Sequence, residues 1–175
     1  MKSDGPARGA EDSRTRFEAL LQENQGILFK VAYSYCSQPN DRDDLIQEIC
    51  WQLWRAFPKY DESRKFSTWM YRVALNVAIS HLRHATRSTP PPLSIDSAEV
   101  SEIAAPEPAQ PDERITELDR LIQQLEPLNR ALLLLYLEER SYREIAEVLG
   151  ISETNVATKI SRLKQRIRQE LVEKE

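Results

Sequence analysis

The sequence predicts an all-α protein of two small helical domains joined by a proline-rich, flexible linker. Three observations carry this. Glycine is scarce, at 4 of 175 residues, and runs of β-branched residues are few, which disfavours sheet. Apolar residues recur three and four apart along most of the chain, the period of an amphipathic helix. Residues 88–111 (STPPPLSIDSAEVSEIAAPEPAQP) hold six of the ten prolines and lack helical periodicity, the composition of an extended spacer. The expected organisation is a disordered tail over 1–13, a first module over 14–87, the linker over 88–111 and a second module over 112–175.

In the first module, helices are expected at about 14–24, 25–38, 41–57 and 67–86. Ile27, Leu28, Val31, Tyr35 and Cys36 repeat at helical spacing in the second of these. In the third, Leu45, Ile49, Leu53 and Phe57 stand four apart on one face. Pro39-Asn40-Asp41 reads as the turn before it, and Asp41, Asp43 and Asp44 suit the positive end of its dipole. Pro58 closes that helix, and residues 58–66 (PKYDESRKF) form a polar loop. Ser67 is the expected cap of the next helix, whose apolar residues are Trp69, Met70, Val73, Ala74, Val77 and Leu82.

The second module opens with a helix at about 112–125, striped by Ile115, Leu118, Ile122 and Leu125. Pro127 fits the first turn of the next, very apolar helix (ALLLLYL, 131–137). Then follows SYREIAEVLGISETNVATKISRLKQRIR, residues 141–168. Ser141 and Glu144 make a capping box. Ala146 is small where two helices cross, Gly150 can take the left-handed turn, and Ser152 caps a second helix. Val156, Ile160, Leu163 and Ile167 form that helix's core face, while Glu153, Thr154, Asn155, Thr158, Lys159 and Arg162 lie opposite. This is a helix-turn-helix. Its recognition helix suits the major groove, with early polar residues on base edges and later cations on phosphates. Asn155 matches adenine; Lys159 and Arg162 match guanine or phosphate.

The net charge of −4 does not oppose this, because contact with nucleic acid depends on local potential. The linker carries four acids and no base, whereas residues 154–169 carry five bases and no acid. No apolar run reaches the roughly 20 residues of a membrane span, and the polar N-terminus does not read as a signal peptide. Cys36 and Cys50 read as buried thiols of a reducing compartment. His81 and His84 lack a Cys-x-x-Cys partner, so neither a metal nor any other cofactor is expected. No nucleophile–base pair or phosphate loop is visible, which points away from an enzyme and leaves no catalytic residue to name.

Two stretches are ambiguous on their residues alone. DRDDLIQEICWQLWRAF (41–57) has Trp51 and Trp54 partly off its apolar stripe, which fits either a wider core face or a partner-binding face. FSTWMYRVALNVAISHLRH (66–84) puts aromatics beside Arg64, Lys65, Arg72, Arg83 and Arg87, which fits either a core helix with a basic edge or a surface for stacked bases and phosphates.

Taken together, those two stretches, the proline-rich linker and LNRALLLLYLEERSYREIAEVLGISETNVATKISRLKQRIR closely resemble the extracytoplasmic-function (ECF) group of bacterial sigma factors, the small two-domain branch of the sigma-70 family. The resemblance covers about 14–87 and 112–170. It implies a transcription initiation factor that binds core RNA polymerase, recognises promoters and helps melt them, in the cytoplasm and in response to a stress or signal. It implies that Asp44, Gln47, Glu48, Trp51 and Trp54 dock on the clamp helices of the polymerase β′ subunit, and that the second module touches the β-flap. Arg64, Lys65, Phe66, Thr68, Trp69, Arg72, Asn76 and Arg83 would open the −10 element and capture an unstacked base. Ser152, Glu153, Thr154, Asn155, Thr158, Lys159, Arg162 and Arg166 would read the −35 element. The acidic linker would thread the polymerase cleft, and an anti-sigma factor is an expected partner. The chain departs from many relatives at Ser80, where an acid is common, and at Glu153, near the groove.

Two other functions each fit part of the same residues. A DNA-binding regulator acting without polymerase leaves the tryptophan-bearing helix and 66–84 unexplained. A helical adapter that binds only protein leaves the acid-free basic face unexplained.

Overall fold

The computed structural model describes residues 7–87 and 121–172. The expected linker, its threading role and most of the helix expected at 112–125 lie outside them. Seven α-helices are named here: α1 (Ala7–Glu23), α2 (Gly26–Tyr35), α3 (Pro39–Ala56), α4 (Phe66–Arg87), α5 (Pro127–Leu137), α6 (Tyr142–Leu149) and α7 (Glu153–Val172). A short 3-10 turn, Phe57–Lys59, follows α3, and residues 121–124 are helical. Among the described residues there is no strand, and no helix is long and apolar enough to cross a membrane.

Three helix starts differ from expectation. The first helix begins at Ala7, so residues 7–13 of the expected tail are helical. Ala7, Arg8, Ala10 and Glu11 are good helix formers, the Arg14–Glu18 pair (2.8 Å) supports the next turn, and buried Phe17 anchors it. Pro39 is not in a preceding turn but at the first position of α3, where its missing N–H costs nothing; extended Gln38 is the cap residue, and its carbonyl accepts from Arg42 N–H at 3.1 Å. Ser67 does not cap α4. The helix starts one residue earlier, and the Lys65 carbonyl accepts from Thr68 (3.1 Å) and Trp69 (3.2 Å).

The first module is a bundle in which α2, α3 and α4 pack on one another and α1 adds Phe17. Its core holds Val31 and Ala32 from α2, Leu45, Ile49 and Leu53 from α3, and Met70, Tyr71, Ala74, Leu75 and Ala78 from α4. The buried stripe of α4 therefore lies beside the expected one: Trp69, Val73, Val77 and Leu82 flank it and are half-buried. In the second module, α5, α6 and α7 pack mutually through Leu132, Leu135, Ile145, Val156 and Ile160. The capping box is formed: Ser141 Oγ accepts from Glu144 N–H (3.2 Å), and the Glu144 carboxylate accepts from Ser141 N–H (3.1 Å). Gly150 takes a φ of 68°, and Ser152 Oγ accepts from Asn155 N–H at 3.2 Å. The helix-turn-helix forms as its sequence requires.

The modules close on each other. α2 and α4 contact α5, and α4 contacts α6, so one apolar cluster runs through both halves. Buried Arg130 ties the seam. Its guanidinium donates to the carbonyls of Ile122 (3.1 Å), Gln123 and Leu125 (3.3 Å), and across the seam to that of Ser34 (3.0 Å). Tyr35 lies 5.3 Å beneath the guanidinium and donates its hydroxyl to the Pro127 carbonyl at 2.7 Å.

Between α5 and α6 the chain turns through Glu139, whose φ of 55° is the left-handed value that glycine tolerates best. Arg140 N–H reaches back to the Leu135 carbonyl (3.1 Å), the pattern of a Schellman C-cap. Glu139→Gly is therefore expected to stabilise the chain by about 1 kcal/mol. Urea unfolding measures this; a loss of stability would refute the account of the turn.

Candidate nucleic-acid interface

Two surfaces of the first module and one of the second carry the residues singled out from sequence. On α7, Asn155, Thr158, Lys159, Arg162 and Arg166 fall within an arc of roughly 100° at 3.6 residues per turn. Asn155, Thr158, Arg162 and Arg166 are exposed and Lys159 is half-buried. Thr158 returns its hydroxyl to the Thr154 carbonyl at 2.9 Å, and Arg166 pairs with Glu170 at 2.6 Å. Ser152 is used as a cap. Glu153 is exposed but stands roughly 160° around the helix from Asn155. An acid in the first turn complements the helix dipole, a role for Glu153 that needs no base contact.

The surface on α4 divides what the sequence had grouped. Arg64, Lys65, Arg72, Asn76 and Arg83 are exposed, and from Lys65 to Arg83 they follow one face of the helix opposite its buried stripe. Phe66 and Thr68 are buried, Phe66 in an aromatic cluster and Thr68 at the cleft that faces α6. Phe66 points inward because the loop before α4 folds over an aromatic cluster. Tyr60 stacks on Phe57 (5.9 Å between centroids), Trp69 lies 5.0 Å from Tyr60 and 5.3 Å from Phe66, and the Tyr60 hydroxyl donates to the Arg64 carbonyl at 2.6 Å. Trp69 is half-buried in this cluster, so its exposed edge remains available. Tyr60 was missed by the sequence reading. Its only signal was an aromatic inside a polar loop.

The third surface is the outside of α3. Trp51 is 53% exposed and Trp54 43%, a large apolar area beside exposed Asp44, Gln47 and Glu48. Arg55 lies over the Trp51 ring at 5.2 Å. Trp54 also packs edge-on against Phe17 at 5.2 Å, so it serves the core as well as the surface. A groove between α3 and α4 joins this surface to the previous one, with Asp44 and Glu48 on one wall and Asn76, Ser80, His81 and His84 on the other. Among the described residues no group of three or more histidines, cysteines or acids could hold a metal ion. Burial raises the thiol pKa of both Cys36 and Cys50 above its ordinary value, so neither is disposed to act as a nucleophile.

Acids of the second module meet cations of the first. Glu147 accepts from Arg64 at 2.8 Å, and Glu144 lies 3.3 Å from Lys65. Glu138 pairs with Lys30 and accepts from the Tyr71 hydroxyl at 3.4 Å. Burial, with Glu138 adding to it, pushes the Tyr71 phenol up to about 12. The Glu144 carboxyl sits below its usual range, chiefly because Ser141 N–H donates to it, with the Ser141 hydroxyl and Lys65 contributing.

The chain thus presents a basic, partly aromatic face on α4, a second basic face on α7 of the helix-turn-helix and a separate exposed tryptophan strip on α3. Comparison with known proteins identifies its class. The sigma-70 region 2 model matches residues 20–88 and the sigma-70 region 4 model residues 115–167. The chain is 31% identical to the RNA polymerase sigma-H factor of Pseudomonas aeruginosa, over 86% of this chain and 83% of that protein. It is 30% identical to the ECF RNA polymerase sigma-E factor of Escherichia coli K12 (86% and 84%) and 28% identical to the ECF factor SigW of Bacillus subtilis (94% and 91%). Among solved structures, CnrH in complex with the cytosolic domain of CnrY aligns with a TM-score of 0.69 at 21% identity, over 97% of this chain and 96% of that one. RpoE of Bartonella quintana bound to the anti-sigma factor NepR gives 0.69 at 20% identity, over 89% and 96%; both likenesses establish the fold. The chain belongs to the ECF group of the sigma-70 family, the factors that direct RNA polymerase to promoters.

Glu153→Gln separates the two roles that have been open for this residue. A dipole role predicts a stability loss of about 0.3–1 kcal/mol with −35 base preference unchanged. A changed preference in a binding-site selection would make Glu153 a base reader after all.

Proposed function

We propose that the three surfaces divide the work of a sigma factor as follows. The exposed strip of α3, with Trp51 and Trp54 as anchors and Asp44, Gln47 and Glu48 around them, docks on the β′ clamp helices of core polymerase. Exposed tryptophans ringed by polar groups are the usual composition of a protein-binding hot spot. The face of α4 and the preceding loop take the −10 element. There Arg64, Lys65, Arg72 and Arg83 hold phosphates, while Asn76 and the edge of Trp69 meet an unstacked base. Extruding that base costs a few kcal/mol, which stacking and hydrogen bonding offset. The α7 face from Asn155 to Arg166 reads the −35 element, with the remainder of the second module against the β-flap.

The observation that carries this reading is the separation of faces. Each module buries one side and keeps a cation-bearing side exposed, and the tryptophan strip is a third surface with a different chemistry. A regulator acting without polymerase has no use for that strip. Work on core polymerase supports a cytoplasmic location, and an anti-sigma factor is a fitting regulator, since RpoE of Bartonella quintana is bound by one.

Run-off transcription with purified core polymerase and genomic promoter fragments tests the reading: new start sites are expected on adding this protein, and their absence would reject it. Trp51→Ala is expected to weaken core-polymerase binding by about tenfold or more, as a hot-spot truncation of at least 1.4–2 kcal/mol does, without lowering thermal stability. Unchanged affinity would move the docking face elsewhere. Arg162→Ala should cost about 1–3 kcal/mol at one base position if it reads a base, or reduce the salt slope by about one if it holds a phosphate. No effect on either removes it from the interface.

A further inference from the structure

We infer that the acidic edge of α6 is a built-in competitor for single-stranded DNA at the loop before α4. The inference rests on the assignment of that loop to the −10 strand. Two neighbouring cations of the loop, Arg64 and Lys65, are met by two acids one helical turn apart, Glu147 at 2.8 Å and Glu144 at 3.3 Å. A carboxylate on a guanidinium or ammonium offers the same charged acceptor as a phosphate oxygen. Glu144 is fixed in place for this, because its carboxylate also accepts from the backbone N–H and the hydroxyl of Ser141. The cleft between loop and helix is lined by Arg64, Lys65 and Thr68 on one side and Ser141, Arg143 and the two acids on the other.

The closed arrangement and the promoter grip exclude each other. Elements centred at −35 and −10 lie roughly 80 Å apart along a duplex at 3.4 Å per base pair. In the closed form the −10 loop and the first helix of the −35 reader are in hydrogen-bond contact. Exposed ion pairs are individually weak, but a tethered acid acts at an effective concentration in the millimolar range. A DNA strand arriving at Arg64 and Lys65 must displace it, and once displaced the acids no longer hold the second module against the loop.

The test uses the full chain and a fluorescently labelled single-stranded oligonucleotide carrying the non-template −10 sequence of a promoter found by run-off transcription. Glu147→Gln is compared with Glu139→Gln, which removes the same charge from an exposed neighbour that makes no side-chain contact to the loop. Glu147→Gln is expected to tighten binding roughly two- to fivefold, the range of an exposed pair, and Glu139→Gln to leave it unchanged. In an Arg64→Gln background the Glu147 substitution should have no further effect. Equal affinities for wild type, Glu147→Gln and Glu139→Gln overturn the competition while leaving the loop assignment standing. Equal tightening by both single variants also overturns it, as a general charge effect. Failure of every form to bind the strand overturns the loop assignment and the inference with it.

Discussion

The guanidinium of Arg130 is the constraint on which the arrangement of this chain depends. It is buried with no carboxylate of the described residues paired to it, and it satisfies itself on four carbonyls. Three belong to residues 122–125, where the helix entering the second module ends, and the fourth is Ser34, in the last turn of α2. Carbonyls at helix C-termini lack partners of their own and carry the negative end of the dipole. One cation therefore caps two helices from different modules. Burial lowers the pKa of Arg130 from its ordinary value, and the carbonyls and the Tyr35 ring compensate the lost water. A polar lock of this kind fixes register where apolar packing alone leaves the modules free to slide.

Much else follows from this seam. With Arg130 set against α2, α5 lies along α2 and α4, and α6 comes to rest beside the loop that precedes α4. The exposed face of α7 remains on the opposite side of its own core, so the proposed −35 face is open while the proposed −10 loop is partly covered. The charge of the chain is organised to match. Cations cluster on α7 and along α4. Glu138, Glu144 and Glu147 pair across the seam with Lys30, Arg64 and Lys65, and residues 88–111 carry four acids and no base, so a net charge of −4 coexists with two basic surfaces.

Helices and the helix-turn-helix were legible in the sequence because their signals are local. Ser141 and Glu144, Gly150 and Ser152 fix a turn through bonds spanning three to five residues. The stripe of Leu45, Ile49 and Leu53 fixes the inner face of α3, and all three are buried. The faces of the candidate sites were less legible. Phe66 looks like a loop-proximal contact residue, yet the aromatic cluster around Tyr60 turns it inward, and that cluster assembles residues from α1, α3, the 3-10 turn and α4; Thr68 is buried at the cleft facing α6. Tyr71 and Leu75, rather than Val73 and Val77, are buried because α5 covers one side of α4, a contact from far along the chain. The seam itself was not legible. Arg130 is one arginine in an apolar helix, and Glu138, Glu144 and Glu147 read as an ordinary solvated face.

The central claim is that the free chain is closed at the Arg130 seam and opens to act. Paired spin labels report it directly, placed at exposed Glu62 in the loop before α4 and exposed Gln165 on α7, with Cys36 and Cys50 replaced by alanine. The account predicts one narrow, short distance in the free protein, loss of that distance in an Arg130→Met variant, and a long distance on core polymerase with promoter DNA. A broad, long distribution in the free wild-type chain, unaltered by Arg130→Met, would contradict it.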